Sequence, residues 1–175
     1  MKKFVAILLT LMLVLGVSAA FAEGTEETPS PTTTTASLGK VVVISGEGAV
    51  MPAETFNFTI KNDGVTDAAE GVTTENMPTP TLGSAEFKGG EPNGTEVAIS
   101  IGLPTYKSVG IYTYTIEETA GATAGMTYSN AVLTLKVTVV NDENGGFKVA
   151  GTSLVGSDDK KKHDTFQNTY SAGKL

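Results

Sequence analysis

Apolar side chains alternate with polar ones along most of the chain beyond residue 38, and this period of two leaves little choice of fold. Residues on a β-strand point alternately to the two faces of a sheet, so the pattern predicts strands with one buried face. The apolar positions of the three clearest segments are Phe56, Phe58 and Ile60; Tyr112, Tyr114 and Ile116; and Leu133, Leu135, Val137 and Val139. β-Branched and aromatic residues dominate these segments, which also favours an all-β chain.

Turn-forming sequences separate the predicted strands. Three segments rich in Gly, Asn, Asp or Pro are predicted turns, namely Lys61–Gly64, Glu91–Gly94 and Asn141–Gly146. No window shows the period of a long amphipathic helix. The segment 38–171 is long enough to bury one core, so it is predicted to form a single antiparallel β-sandwich with an Ig-like outline.

Residues 1–22 have the organisation of a secretory signal peptide. Lys2 and Lys3 form a basic start, residues 4–17 are apolar and uncharged, and Ala20 and Ala22 supply the small residues of a cleavage site. An uncleaved membrane anchor is the alternative, because the apolar run is nearly long enough to span a bilayer. We expect cleavage, because the small residues end the run and acidic residues follow it. The mature protein is then exported, without a membrane segment.

Residues 23–37 are rich in Thr, Pro and Glu and contain almost no large apolar side chain. Such a segment cannot bury enough surface to offset the entropy lost on ordering, so it is predicted to be a flexible linker. The expected organisation is therefore a signal peptide, this linker, a β-sandwich over 38–171 and a short stub at 172–175.

Several functional classes are excluded by residue types that the chain lacks. It has no cysteine, which rules out disulfides, thiolate metal sites and cysteine nucleophiles. Its single histidine, His163, argues against a Ser-His-Asp triad or a multi-histidine metal site. Every basic residue is lysine, the net charge is −7, and nucleic-acid binding needs clustered positive charge. We therefore expect no cofactor, no metal and no nucleic-acid partner.

Three polar residues lie at positions whose strand parity points them into the predicted core. Asn168 shares a face with the aromatic residues on either side of it, and Lys40 shares a face with two aliphatic residues. Glu118 lies on the Tyr/Ile face of its segment, whereas the neighbouring Glu117 points to solvent. Each residue alone would fit a strand end that reaches water. Buried polar groups cost several kcal/mol unless paired, so three of them on three strands suggest a common role.

A lysine, a carboxylic acid and a side-chain amide are together the reagents of an amide exchange. Desolvation favours the neutral, nucleophilic form of a lysine amine and the protonated form of a carboxylic acid. A protonated acid can polarise an amide carbonyl and move protons. Attack of Lys40 on the side-chain carbonyl of Asn168 would release ammonia and join the first strand to the last, with Glu118 as proton shuttle. The reaction occurs once, so the chain is interpreted as a self-crosslinking protein and not as an enzyme.

The segments around these residues resemble a known family. They are Lys40 itself, Met51–Phe58 (MPAETFNF), Gly110–Glu118 (GIYTYTIEE) and Phe166–Asn168 (FQN). Over residues 38–170 the chain resembles the isopeptide-bonded backbone pilins of Gram-positive sortase-assembled pili, specifically the streptococcal-type pilin isopeptide-linkage domain. The resemblance implies a CnaB-type, Ig-like β-sandwich with an intramolecular isopeptide bond. Matched residue by residue, it implies that Lys40 and Asn168 form the bond and that Glu118 is the catalytic acid.

The resemblance also implies partners and a location. Pilins of this family are structural subunits of cell-wall-associated pili, in which a sortase joins each subunit to the next through a lysine near the last strand. Lys161 occupies the corresponding position, with Lys160 and Lys162 as alternatives. The expected partners are other pilin subunits and a pilus sortase, and a host-surface or matrix ligand is a further one.

The chain has no LPxTG-like sorting signal after the predicted last strand. We therefore expect either a truncated pilin, in which residues 172–175 begin a further segment, or a secreted single domain that remains unanchored.

Two other functions compete with the structural one. A secreted Ig-like module that binds carbohydrate or matrix without polymerising would need exposed aromatic side chains. The available ones are Tyr106, Tyr112, Tyr114 and Tyr128, although the strand tyrosines are predicted to be core residues. A glycosidase would need paired carboxylates, but most acidic residues lie in predicted turns, where solvation explains them. We therefore expect a structural protein.

Overall fold

The computed structural model describes residues 36–156 and 164–171, and every regular element within them is a β-strand. The strands are β1 (Leu38–Ser45), β2 (Glu54–Thr66), β3 (Thr81–Leu82), β4 (Ala85–Phe87), β5 (Glu96–Ile99), β6 (Ile101–Gly102), β7 (Gly110–Thr119), β8 (Met126–Thr127), β9 (Val132–Asn141), β10 (Phe147–Gly156) and β11 (Thr165–Ser171). The described part of the chain contains no helix of a length and apolarity suited to crossing a membrane. The prediction of an all-β fold is confirmed.

The larger sheet has five strands in the order β10-β9-β7-β2-β4, and all of its neighbours are antiparallel. Over most of their length, β7 and β9 alternate between buried and more exposed residues, as the period-two pattern predicts. On β7 the side chains of Tyr112, Tyr114 and Ile116 are buried, whereas the threonines between them are partly exposed. The sheet therefore has one face in the core.

The second sheet has four strands in the order β5-β1-β11-β8. Within it β1 and β11 are parallel, with Lys40 opposite Phe166 and Val42 opposite Asn168, while the other pairs are antiparallel. A parallel pair needs a long crossover connection. Here that connection is the whole of the chain between the first and the last strand, which explains how one parallel pair arises in an otherwise antiparallel sandwich.

The two sheets share one hydrophobic core, so the fold is a β-sandwich. The rings of Phe58 on β2 and Phe166 on β11 lie 5.2 Å apart, centroid to centroid, and so join the two sheets. The buried apolar residues of the four-stranded sheet are Leu38, Val42, Ile99 and Phe166, and those of the five-stranded sheet are Phe56, Ala85, Phe87, Tyr112, Tyr114, Ile116, Leu133, Leu135, Val137, Val139 and Leu154. This core surrounds the three polar residues selected by strand parity.

One turn prediction is wrong. The segment Lys61–Gly64 lies inside β2, where the register with β7 shifts between Asn62 and Gly64. A β-bulge accommodates an extra residue without ending the strand, which is why a turn-like composition is compatible with continued pairing. The Asn62 amide also donates hydrogen bonds to the carbonyl oxygens of Thr74 and Met77, so it fixes the following loop against the bulge.

Candidate functional site

Lys40 and Asn168 are neighbours on the inward face of the parallel pair of β1 and β11. Because Val42 lies opposite Asn168, Lys40 is offset from Asn168 by two residues on the same face. Lys40 is 0% exposed and Asn168 is 1% exposed. A lysine and an amide are thus held side by side in the core, on the first and the last strand of the sandwich.

Glu118 reaches this pair from the opposite sheet. One carboxylate oxygen, Oε2, accepts a hydrogen bond from Lys40 Nζ at 2.7 Å, and the other, Oε1, accepts one from Asn168 Nδ2 at 2.6 Å. The Glu118 side chain is 0% exposed, whereas that of Glu117 is 42% exposed and pairs with Lys61 at 3.2 Å. The structure therefore brings Lys40, Glu118 and Asn168 together and leaves Glu117 at the surface.

An aromatic ring lies against the Lys40 amine. Its Nζ lies 4.6 Å from the centroid of the Phe56 ring. Phe58, which is paired with Glu118 in the sheet, stacks at a tilt on Phe166. Burial among these groups lowers the pKa of Lys40, while the hydrogen bond and charge of Glu118 oppose the shift. The neutral, nucleophilic form of the amine is therefore more accessible than it would be in water.

The carbonyl oxygen of Asn168 has its own donor. The backbone N–H of Ser129 donates a hydrogen bond to Asn168 Oδ1 at 2.8 Å. With Nδ2 bonded to Glu118, both ends of the amide are held and its plane is fixed. Sequence reasoning missed Ser129, and no pattern could have selected it, because a backbone N–H is independent of residue type.

A second carboxyl group lies beside this site. The Tyr128 hydroxyl donates a hydrogen bond to Glu54 Oε1 at 2.6 Å and accepts one from the Thr123 N–H at 2.9 Å. The other oxygen, Glu54 Oε2, is buried and is without a hydrogen-bond partner among the described residues. Burial and the bond to Glu54 raise the pKa of Tyr128, and the charge of Glu54 acts on Lys40. Glu54 has the same strand parity as Phe56, so the criterion that selected Glu118 would also have found it.

Three of the four tyrosines proposed as sugar-stacking groups are engaged inside the fold, and the fourth, Tyr128, is partly buried. Tyr106, Tyr112 and Tyr114 are buried. The Tyr112 hydroxyl donates to the Ser108 carbonyl oxygen at 3.0 Å, and that of Tyr114 donates to the Pro78 carbonyl oxygen at 2.7 Å. Burial raises the pKa of Tyr114, as expected for a phenol held in a core. These side chains offer no flat exposed platform to a sugar.

Other sequence predictions fall on residues that the structure does not describe. The sortase-acceptor candidates Lys160, Lys161 and Lys162 lie outside the described residues, as do His163, the signal peptide at 1–22, most of the linker and residues 172–175. Within residues 36–156 and 164–171, no group of three or more His, Asp or Glu side chains is arranged to hold a metal ion.

Several solved structures of pilins have the same fold. An alanine mutant of the major pilin from Streptococcus pyogenes matches with a TM-score of 0.60 at 16% identity, covering 79% of this chain and 51% of that one. The T-13 major pilin of the same species matches with a TM-score of 0.57 at 22% identity, covering 79% of this chain and 53% of that one. The chain therefore spans about half the length of the pilin chains that it matches.

The sequence also matches a family model. No curated protein matches it significantly. The model of FctA, described as the Spy0128-like isopeptide containing domain, matches residues 36–171, which include all eleven described strands and the Lys40, Glu118 and Asn168 cluster. As its resemblance to isopeptide-bonded Gram-positive pilins predicts, the chain belongs to the FctA family of Spy0128-like isopeptide-containing domains.

Proposed function

We propose that this protein is a structural subunit of a cell-surface pilus and that a self-formed isopeptide bond between Lys40 Nζ and Asn168 Cγ stiffens it. Membership of an isopeptide-containing family and the fold shared with major pilins support the structural role. One observation carries the crosslink, namely the shielded Glu118 carboxylate that contacts both the Lys40 amine and the Asn168 amide. It supplies one proton-transfer site to each of the two reacting groups.

The reaction begins with proton transfer inside the buried pair. An ammonium group has no lone pair for attack, so Lys40 first passes a proton to Glu118, and desolvation of the amine favours its neutral form. The neutral amine then attacks Asn168 Cγ, a new C–N bond forms, and the carbonyl π electrons move onto Oδ1. Because the strand register holds the two groups side by side, no diffusional encounter is needed.

Collapse of the tetrahedral intermediate completes the exchange. Glu118 donates its proton to Nδ2, the Cγ–Nδ2 bond breaks, and ammonia leaves. Glu118 then takes a proton from the new amide nitrogen, so it ends as a protonated acid, as it was when the amine attacked. The net change is amine plus primary amide to secondary amide plus ammonia. Each molecule reacts once, so Glu118 acts as a general acid and base within its own chain.

The position of the bond suits a protein that carries tension. A pull on the two ends of the domain enters at Leu38 and leaves at Ser171, only two or three residues from the linked positions. With the bond in place, the load passes from Lys40 directly to Asn168, and the residues between them carry none of it. The domain should therefore not lengthen under tension, because the segment that would have to unfold lies between the two linked residues and bears no load.

The segments outside the sandwich and the lysine run before β11 also have roles in the proposed pilus subunit. Residues 1–22 direct export, residues 23–37 link to the domain at 38–171, and neighbouring pilin subunits are the partners. A pilus sortase joins the subunits through a lysine of the run before β11, with Lys161 as first candidate and Lys160 and Lys162 as alternatives. The assembled fibre would then bind a host-surface or matrix ligand.

Intact-mass measurement of the purified chain tests the crosslink. The proposal requires a mass below the sequence value by one ammonia molecule, together with a branched proteolytic peptide that joins Lys40 to Asn168. A chain of full mass, or a loss of ammonia mapped to another asparagine, would contradict it.

A further inference from the structure

Building on the proposed crosslink, we infer that the backbone N–H of Ser129 acts as an oxyanion donor in the bond-forming reaction and that the hydrogen-bonded pair of Tyr128 and Glu54 holds it in place. The inference rests on the proposed function, because it concerns the transition state of that reaction. It adds a backbone group and two positioning side chains to the roles of Lys40, Glu118 and Asn168.

The geometry at Asn168 supports the donor role. Attack on Cγ places negative charge on Oδ1, and the Ser129 nitrogen lies 2.8 Å from that atom. Oxyanion donors act at about 2.7–3.1 Å, so the group needs little movement to stabilise the developing charge. The site is shielded from water, which strengthens such an interaction. Glu118 contacts the nitrogen end of the same amide, so the donor and the proton shuttle act on different atoms.

The sheet explains why this N–H is available. β8 pairs with β11 only through Thr127 opposite Thr169 and Met126 opposite Tyr170. The described pairing ends there, two residues before Ser129. The Ser129 N–H instead donates to the side chain of Asn168, which lies on β11. The backbone donor thus serves an inward side chain.

Tyr128 directly precedes this donor in the chain, and its side chain is held in place. Its hydroxyl is held by Glu54 Oε1 and the Thr123 N–H, and its ring lies 6.3 Å from that of Phe56, which also contacts the Lys40 amine. The fit around this pair is tight, because a Cβ added at Gly121 would lie 2.5 Å from both Glu54 Oε1 and the Tyr128 hydroxyl. A donor attached to a braced residue is preorganised, which is what electrostatic stabilisation requires.

The experiment needs full-length chains that are still unreacted when refolding begins. A photocaged lysine at position 40 is uncaged in denaturant, the chain is refolded by dilution, and quenched samples are weighed by mass spectrometry to follow the loss of ammonia. Circular dichroism in the same samples reports when folding is complete. Ser129→Pro removes the N–H, while the matched control Ser129→Ala removes only the hydroxyl, which accepts a hydrogen bond from the Ala131 N–H.

We expect Ser129→Pro to react about 10²–10³-fold more slowly than wild type, the effect of losing one oxyanion donor, and Ser129→Ala to stay within about threefold. Equal rates for Ser129→Pro and wild type, or equal slowing by both substitutions, would overturn the donor role. If Ser129→Pro does not fold, a backbone ester at position 129 replaces only the N–H by oxygen, and an unchanged rate in that chain is equally decisive. A wild-type chain that folds but loses no ammonia contradicts the crosslink itself, a separate outcome.

Tyr128→Phe and Glu54→Gln test the brace in the same assay. Tyr128→Phe removes the hydroxyl and is expected to slow the reaction about tenfold, the effect of one lost hydrogen bond. Glu54→Gln keeps an oxygen acceptor for Tyr128, so it should react faster than Glu54→Ala. A wild-type rate for Tyr128→Phe, or equal rates for Glu54→Gln and Glu54→Ala, would remove these residues from the mechanism.

Discussion

Lys40 Nζ lies 2.7 Å from Glu118 Oε2 although both side chains are fully shielded from solvent. A buried ion pair is a poor device for stability, because desolvation of the two charges offsets much of their attraction. The pair makes more sense as two reagents held ready for proton transfer beside an amide. Formation of the isopeptide bond would also remove the lysine charge from the core, so the product would suit its surroundings better than the reactants do.

Glu118→Gln is expected to abolish crosslinking, because a side-chain amide cannot shuttle the proton between Lys40 and the leaving nitrogen. General acid and base catalysis contributes about 10²–10⁴-fold, so the folded variant should keep the full sequence mass over hours. Intact-mass spectrometry checks this. Glu117→Gln is the matched control on the exposed face of the same strand, and it should lose one ammonia as wild type does. Full crosslinking in Glu118→Gln would exclude Glu118 as the shuttle.

The crosslink is expected to contribute strongly to thermal stability. It would close a loop of 128 residues (168 − 40), for which chain entropy predicts about 4–5 kcal/mol. Uncrosslinked Asn168→Ala should therefore melt roughly 10–20 °C below the wild-type chain. Differential scanning calorimetry without reductant measures the difference, and added reductant should leave it unchanged because an amide is not reducible. Equal melting temperatures for the two chains would show that the bond does not stabilise the folded state.

The stability of the uncrosslinked chain should depend on the state of Lys40. Burial lowers the pKa of Lys40 in the folded chain, whereas its unfolded value is about 10.4. Between these two values the unfolded chain binds more protons, so stability should rise with pH up to about 10.4 and fall as pH drops through the folded pKa. Urea unfolding of Asn168→Ala between about pH 7 and 10 tests this, with Lys40→Met/Asn168→Ala as the reference that lacks the amine. Parallel pH profiles for the two variants would contradict it.

Strand parity accounts for most of what the sequence could predict. The alternation around Tyr114 and Leu135 was enough for the all-β sandwich, because one face of each central strand is buried. Parity also marked Lys40, Glu118 and Asn168 as inward, and it would have marked Glu54 had the same test been applied to β2. It could not give the parallel pairing of β1 with β11, since pairing partners far apart in sequence leave no local signal.

Other features depend on backbone geometry. The bulge in β2 has the composition of a turn, and only its pairing with β7 shows that the strand continues. The Ser129 N–H is found by its direction in space and not by its side chain. The bulge and the Ser129 donor could not be predicted for the same reason. Residue type indicates side-chain preference and says little about the path of the backbone.

Tension applied to the two ends of the domain tests the proposed structural role directly. Pulled between residues 36 and 171, a crosslinked domain should gain almost no length, because the chain between Lys40 and Asn168 is bypassed by the bond. The uncrosslinked Glu118→Gln chain should unfold and lengthen by roughly 400 Å, since it releases about 130 residues at about 3.3–3.6 Å each, less the folded length. Single-molecule force spectroscopy with handles at these positions measures the gain. A wild-type domain that unfolds with the full extension would contradict the proposed load path, whereas a short extension in both chains would show that the fold resists force without the bond.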